Sequence, residues 1–141
     1  MDNKSRMKYF YEVVTSNGLT DEVPNYVSDS CVVRLGEAVY PVGIAEMQQH
    51  LIDVRKTYPD LKMTILRQYC DGEIVISEFI MEGTHAGEWL GIQPSGKLLR
   101  ISGVNIDRIV DGKITEHGGA ANTFDAFWEA GVIVPAPAVE E

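Results

Sequence analysis

Apolar residues recur at two different periods along this chain, and the change of period divides it into halves. Met7, Phe10, Tyr11 and Val14 fall at i, i+3, i+4 and i+7, one stripe of a helix, and Asn17-Gly18 supplies a left-handed cap to end it. A second short helix is predicted from Thr20-Asp21, with Pro24 in its first turn and Tyr26 and Val27 turned inward. Cys31 to Leu35 is a short β-branched run. Ile44, Met47, Leu51, Val54 and Tyr58 return to helical spacing and Pro59 stops it, which predicts a third helix over about 43–58.

From Lys62 onward the period drops to two. Residues 62–70 and 73–84 are rich in Ile, Val, Thr, Phe and Tyr and are joined by Asp71-Gly72, a strong hairpin signal. Residues 98–110 and 113–121 repeat the arrangement around Asp111-Gly112. Between the hairpins, residues 85–97 carry three glycines and Pro94-Ser95-Gly96, which reads as a loop with a tight turn. Helices followed by a four-stranded antiparallel meander make an α+β chain. The expected architecture is three N-terminal-half helices packed on a strongly curved antiparallel sheet that forms a cone with an internal cavity. Residues 1–134 are expected to form one domain, with 135–141 as a flexible tail. Apolar residues on both faces of the strands predict that the outer face is buried in a homodimer.

Within the second half, Phe79, Met81, Gly83 and His85 alternate onto one face. An apolar strand face that ends in an imidazole suits a pocket wall, and it equally suits a histidine that pins a loop. The following Gly87-Glu88-Trp89 segment is placed to cover a ligand. His117 shares its expected face with Thr115 and Gly119. Gly103, Asn105, Asp107 and Ile109 share a face on the third meander strand, and polar groups there need partners or a polar cavity. The opposite face, with Arg100, Ser102 and Arg108, is no drier, so alternation leaves the inner face open. His85, Asn105, Asp107 and His117 are therefore the candidate chemical groups, with Tyr26, Phe79, Met81 and Trp89 as candidate ligand contacts.

Composition narrows the partners. Twelve basic residues against 21 acidic give a net charge of −9, which repels phosphate backbones and anionic lipid heads. Neither nucleic acid nor membrane is an expected partner. Cys31 and Cys70 lie too far apart for a paired-ligand motif, and His50, His85 and His117 lack the spacing of a helical zinc pair, so no metal is expected. His50, beside Leu51 in the third helix, reads as structural or surface. The first 20 residues lack the apolar core of a signal peptide, and a cytoplasmic location follows as an expectation.

Four stretches in order resemble one known family: Tyr58-Pro59-Asp60-Leu61, Gly83-Thr84-His85 with Gly87-Glu88, Gly91 with Pro94 and Gly96-Lys97, and Gly103 through Ile106, Arg108-Ile109, Asp111-Gly112-Lys113-Ile114 and Glu116-His117. From Gly43 to Val132 the chain is similar to the SnoaL-like polyketide cyclase family of the nuclear-transport-factor-2-like superfamily. The resemblance implies an α+β barrel and ring closure by intramolecular aldol condensation of a hydrophobic, polycyclic small molecule. The family uses a cavity carboxylate as general acid/base and no cofactor. It implies that the acid's position is held by Asn105, which cannot take a proton at neutral pH. Gly118 and Asn122 also stand where the family carries tryptophan and aspartate. The alternatives implied are a non-catalytic small-molecule-binding module and a related hydroxylase or isomerase.

Overall fold

A computed structural model describes residues 1–139 of the chain; the last two residues of the expected tail lie outside the described residues. Helix α1 spans Asn3–Tyr9, starts on the Asp2 side chain, which accepts from the Ser5 amide, and runs directly into a π-helical turn, Phe10–Thr15. Both the amide and the hydroxyl of Ser16 donate to the Tyr11 carbonyl, the i to i−5 bond that makes this turn π. The segment ends as the sequence predicts. Gly18 adopts φ 63°, Leu19 N–H reaches Val14 C=O and Gly18 N–H reaches Thr15 C=O, a Schellman cap.

The second helix is a 3-10 helix, Thr20–Asn25, with Pro24 at its fifth residue rather than in its first turn. Helix α2, Gly43–Thr57, matches its expected span and buries Met47 and Leu51. The predicted meander is present as β3 (Lys62–Asp71), β4 (Ile74–Thr84), β5 (Leu98–Val110) and β6 (Lys113–Ala121). Two strands precede it, β1 (Val27–Leu35) and β2 (Ala38–Pro41).

Two features correct the expected architecture. A further helix, α3 (Thr123–Glu129), follows the last strand, so the helical segments number four among the described residues and are not confined to the first half. Its Phe127 is buried against Leu99 and Ile101 of β5. The sheet is also open rather than a strongly curled cone. Its order is β2-β1-β6-β5-β4-β3, with β2 and β3 left as unpaired edges. β1 pairs parallel to β6 and carries β2 at the outer edge, so six strands rather than four make up the open order.

The core lies between the helices and one face of this sheet. Met7, Phe10, Val14 and Leu51 from the helices meet Val27, Val75, Ile109 and Ile114 from the strands. Close strand approach near the middle of the sheet depends on Gly119, which has φ 138° opposite Asn105. A Cβ there would lie 2.0 Å from the Val104 carbonyl oxygen, a backbone atom with no room to yield. Gly119→Ala is expected to cost about 2 kcal/mol or more through strain and overlap, lowering Tm by roughly 5–10 °C in a thermal melt.

Candidate functional site

Burial decides the strand faces that alternation leaves open. On β5, Ile101, Asp107 and Ile109 are buried while Ile106 is 44% exposed, so Asn105 and Asp107 point toward the helices. On β6 a bulge resets the parity: Ile109 pairs with Ile114, yet Asp107 pairs with His117, leaving Thr115 as the extra residue. Ile114 and His117 thus both face inward. This corrects the expectation that His117 shares a face with Thr115.

The bulge brings His117 onto Asp107, and the π-turn brings Tyr11 to the same carboxylate. His117 Nδ1 lies 2.7 Å from Asp107 Oδ1, and the Tyr11 hydroxyl donates to Oδ2 at 2.6 Å. Asp107 is fully buried, so each oxygen needs a donor, and each has one. An ionised carboxylate only accepts, which assigns the His117 proton to Nδ1 and leaves Nε2 as the free ring nitrogen. Burial pulls the His117 pKa down, but the hydrogen bond and charge of Asp107 outweigh it and the net displacement is above the ordinary histidine value. Burial, followed by the Asp107 charge and bond, raises the Tyr11 phenol well above its usual value and keeps it neutral. Beneath them, burial and then Asp107 push the Cys31 thiol up to about 11, which leaves it unreactive.

A pocket of about 140 Å³ lies between the helices and the sheet at this cluster. Its walls are mainly apolar, with Met47 and Leu51 from α2 and Phe79, Met81 and Ile101 from the strands, while Tyr11, Thr15, His50, Asn105 and His117 add polar groups. The Asn105 amide makes no side-chain hydrogen bond among the described residues. His50, Val54, Met81 and Ile101 also line a groove of about 390 Å³ under Trp89, so pocket and groove are neighbours with a shared wall. His50 further borders a cleft of about 280 Å³ toward β1. His50 is exposed on one side, and the desolvation of its inner side together with the nearby His117 charge lowers its pKa against the opposing pull of Asp53.

Three of the four candidate chemical groups, Asn105, Asp107 and His117, are therefore brought together. His85 is not. It is fully buried in a second cluster, 5.1 Å edge-on to Phe127, and its Nδ1 accepts from the Ser95 amide at 3.2 Å, pinning the glycine-rich loop. Of the candidate contacts, Phe79 and Met81 line the pocket and Trp89 lines the groove, stacked on Phe127. Tyr26 packs against Tyr9, Phe10 and the Arg6 guanidinium instead. Tyr11 and Thr15 line the pocket although neither was a candidate, and His50, read as structural or surface, lines it as well. Tyr11 sat inside an apolar stripe and read as core, and no local signal marked Thr15. Among the described residues, no group of three or more His, Cys, Asp or Glu side chains is placed to hold a metal, and no helix is long and apolar enough to cross a membrane.

The model of the family described as SnoaL-like polyketide cyclase matches residues 5–128. No match is found among curated proteins. Among solved structures, wild-type IdmH from Streptomyces antibioticus, described as a proposed polyketide cyclase, superimposes with a TM-score of 0.80 at 20% identity over 93% of this chain and 99% of that one. A SnoaL-like polyketide cyclase from Agrobacterium tumefaciens gives 0.79 at 14% identity over 92% and 98%. AclR from Streptomyces galilaeus, described as a proposed hydroxylase, gives 0.74 at 24% identity over 96% and 91%. At these identities the likeness is one of fold.

The histidine–carboxylate pair makes a measurable prediction. Because the folded pKa of His117 is raised, the stability it contributes is fully present below the unfolded value of about 6.5 and is lost as pH rises through the folded value. Asp107→Asn removes the charge that holds it up. The NMR titration midpoint of His117 is expected to fall, and the variant to lose about 1–3 kcal/mol of stability at pH 6, with a smaller deficit above the wild-type His117 pKa.

Proposed function

The chain belongs to the SnoaL-like polyketide cyclase family, and from that premise we propose that it acts on a hydrophobic, polycyclic small molecule by acid/base chemistry of its own side chains. His117 Nε2 takes a proton from a carbon next to a substrate carbonyl. Asp107 holds the imidazole in the required tautomer and stabilises the imidazolium that forms. The Asn105 amide donates to the developing enolate oxygen, and the apolar walls keep water away from it. The enolate carbon then attacks a second carbonyl of the same molecule. The new C–C bond leaves an alkoxide, which recovers the proton from His117.

The observation that carries this reading is the 2.7 Å contact between His117 Nδ1 and Asp107 Oδ1 beside the pocket. It gives the site a base, which matters because the family resemblance puts Asn105 at the position of the usual acid. Asn105 also favours a second reading, a binding module that uses the same pocket without chemistry. A hydroxylase or isomerase would use the same base on a different substrate.

Exchange of the protons next to the carbonyl of 1-tetralone in D2O, followed by NMR, separates these readings. The protein is expected to accelerate exchange, and His117→Gln to lower the accelerated rate by about 10²-fold or more. The base must be neutral, so the rate rises with pH through a midpoint above 6.5, and Asp107→Asn moves that midpoint down. Binding of 1-tetralone with no acceleration supports the binding module and ends the catalytic reading.

The proposal extends to a second copy of this chain on the outer sheet face. Ile74, Val104 and Ile106 line a groove of about 530 Å³ there. Beside it, Arg34, Glu116, Arg108 and Glu73 form a ladder of alternating charge, with contacts of 2.8, 2.8 and 3.0 Å. Such a face can pair with its own two-fold copy. Sedimentation is expected to give a dimer, and Ile106→Arg a folded monomer.

A further inference from the structure

Two buried side-chain atoms have no hydrogen-bond partner among the described residues: His85 Nε2, in the apolar cluster of β5 and α3, and Thr15 Oγ1. Thr15 is the one that lines the pocket. Its side chain is about nine-tenths buried. A threonine inside a helix ordinarily bonds a carbonyl of the preceding turn, but in the π-turn the Tyr11 carbonyl is taken twice by Ser16. A buried hydroxyl without a partner costs roughly as much as a lost hydrogen bond, and none of the polar groups in the largely apolar wall bonds it.

We infer that Thr15 is a recognition residue: its hydroxyl bonds an oxygen substituent on a single six-membered ring seated in the 140 Å³ pocket. This rests on the proposed use of that pocket and names the substrate class more closely. The volume suits one ring, since a cavity of about 150 Å³ holds one benzene-sized ring. A polycyclic substrate therefore seats its terminal ring here and extends into the 390 Å³ groove under Trp89. Thr15 belongs to the helical layer, whereas Asn105 and His117 belong to the sheet. Within the helical layer, Tyr11 is one turn away and its hydroxyl is committed to Asp107. The two walls thus offer separate points of attachment, and the seated ring carries one oxygen for the sheet groups and a second for Thr15.

Resorcinol and phenol test this as ring probes with two oxygens and one. Titrations followed on the methyl signals of Met47, Met63 and Met81, which line the pocket, give both affinities. The protein is expected to prefer resorcinol. Thr15→Val is expected to lower that preference about fivefold, and Thr15→Ser to keep it. The Tm of unliganded Thr15→Val is expected to equal or exceed that of wild type, because valine fills the same space without an unpaired hydroxyl. An unchanged preference in Thr15→Val, equal loss of both probes in both variants, or no preference in wild type overturns the inference. So does a lower Tm in Thr15→Val, which would mean that the hydroxyl is bonded within the fold. None of these readouts depends on proton exchange, so failure of the tetralone assay with a Thr15-dependent preference intact would end only the catalytic reading.

Discussion

A carboxylate buried at the centre of a sheet sets the terms for everything around it. Asp107 is shielded from water, and its two oxygens must be met by donors from inside the protein. One donor, Tyr11, reaches it from a π-helical turn, and the other, His117, from the adjacent strand. The Tyr11 bond therefore ties the helical layer to the sheet, and the His117 bond joins two neighbouring strands within it. They also fix one tautomer of His117. Without the β6 bulge the imidazole would face outward, and without the Tyr11 hydroxyl one carboxylate oxygen would be left unpaired. Scaffold and proposed reactive group rest on the same pair of bonds.

The parts of this fold legible in the sequence were those with a local cause. The Asp-Gly turns and two-residue alternation located the four meander strands to within a residue or so, and the 3.6-residue stripe located α2. Features set by partners distant in sequence were hidden. β2 is four residues long, and its pairing with β1 has no periodic signature of its own. The parallel pairing of β1 with β6 joins segments more than 80 residues apart, and no local signal announces it. For α3, Phe124, Phe127 and Trp128 carry a helical spacing, but over seven residues that spacing is too short to stand out.

At the site the same rule applies. Asn105 and Asp107 were recognisable because polar groups inside a β-branched strand require an explanation. The facing of His117 was not, because one extra residue in a strand reverses the parity of all that follow and Thr115 shows nothing unusual. His85 illustrates the converse. Alternation from Phe79 correctly turned it inward, but the inner face continues past the pocket into a second apolar cluster, where Ser95 and Phe127 hold it. A period shows which face a residue joins. It does not show how far along that face the cavity extends.

The division of labour between the layers follows from this geometry. The His117–Asp107 pair proposed as the reactive group sits on β5 and β6, next to each other in the sheet and held by pairing on both sides. The groups that give the pocket its size and polarity away from that pair, Thr15, Met47, His50 and Leu51, come from helical segments that pack on the sheet without pairing to it. Replacing a side chain on a helix changes one wall, whereas replacing one at Asp107 leaves buried donors unmatched on two elements. Under the proposed function, substrate preference can therefore shift through the helical layer while the His117–Asp107 pair stays in place. Tyr11 is the exception. It belongs to the helical layer by position and to the reactive pair by its bond to Asp107, so the π-turn can move relative to the sheet only as far as a 2.6 Å hydrogen bond permits.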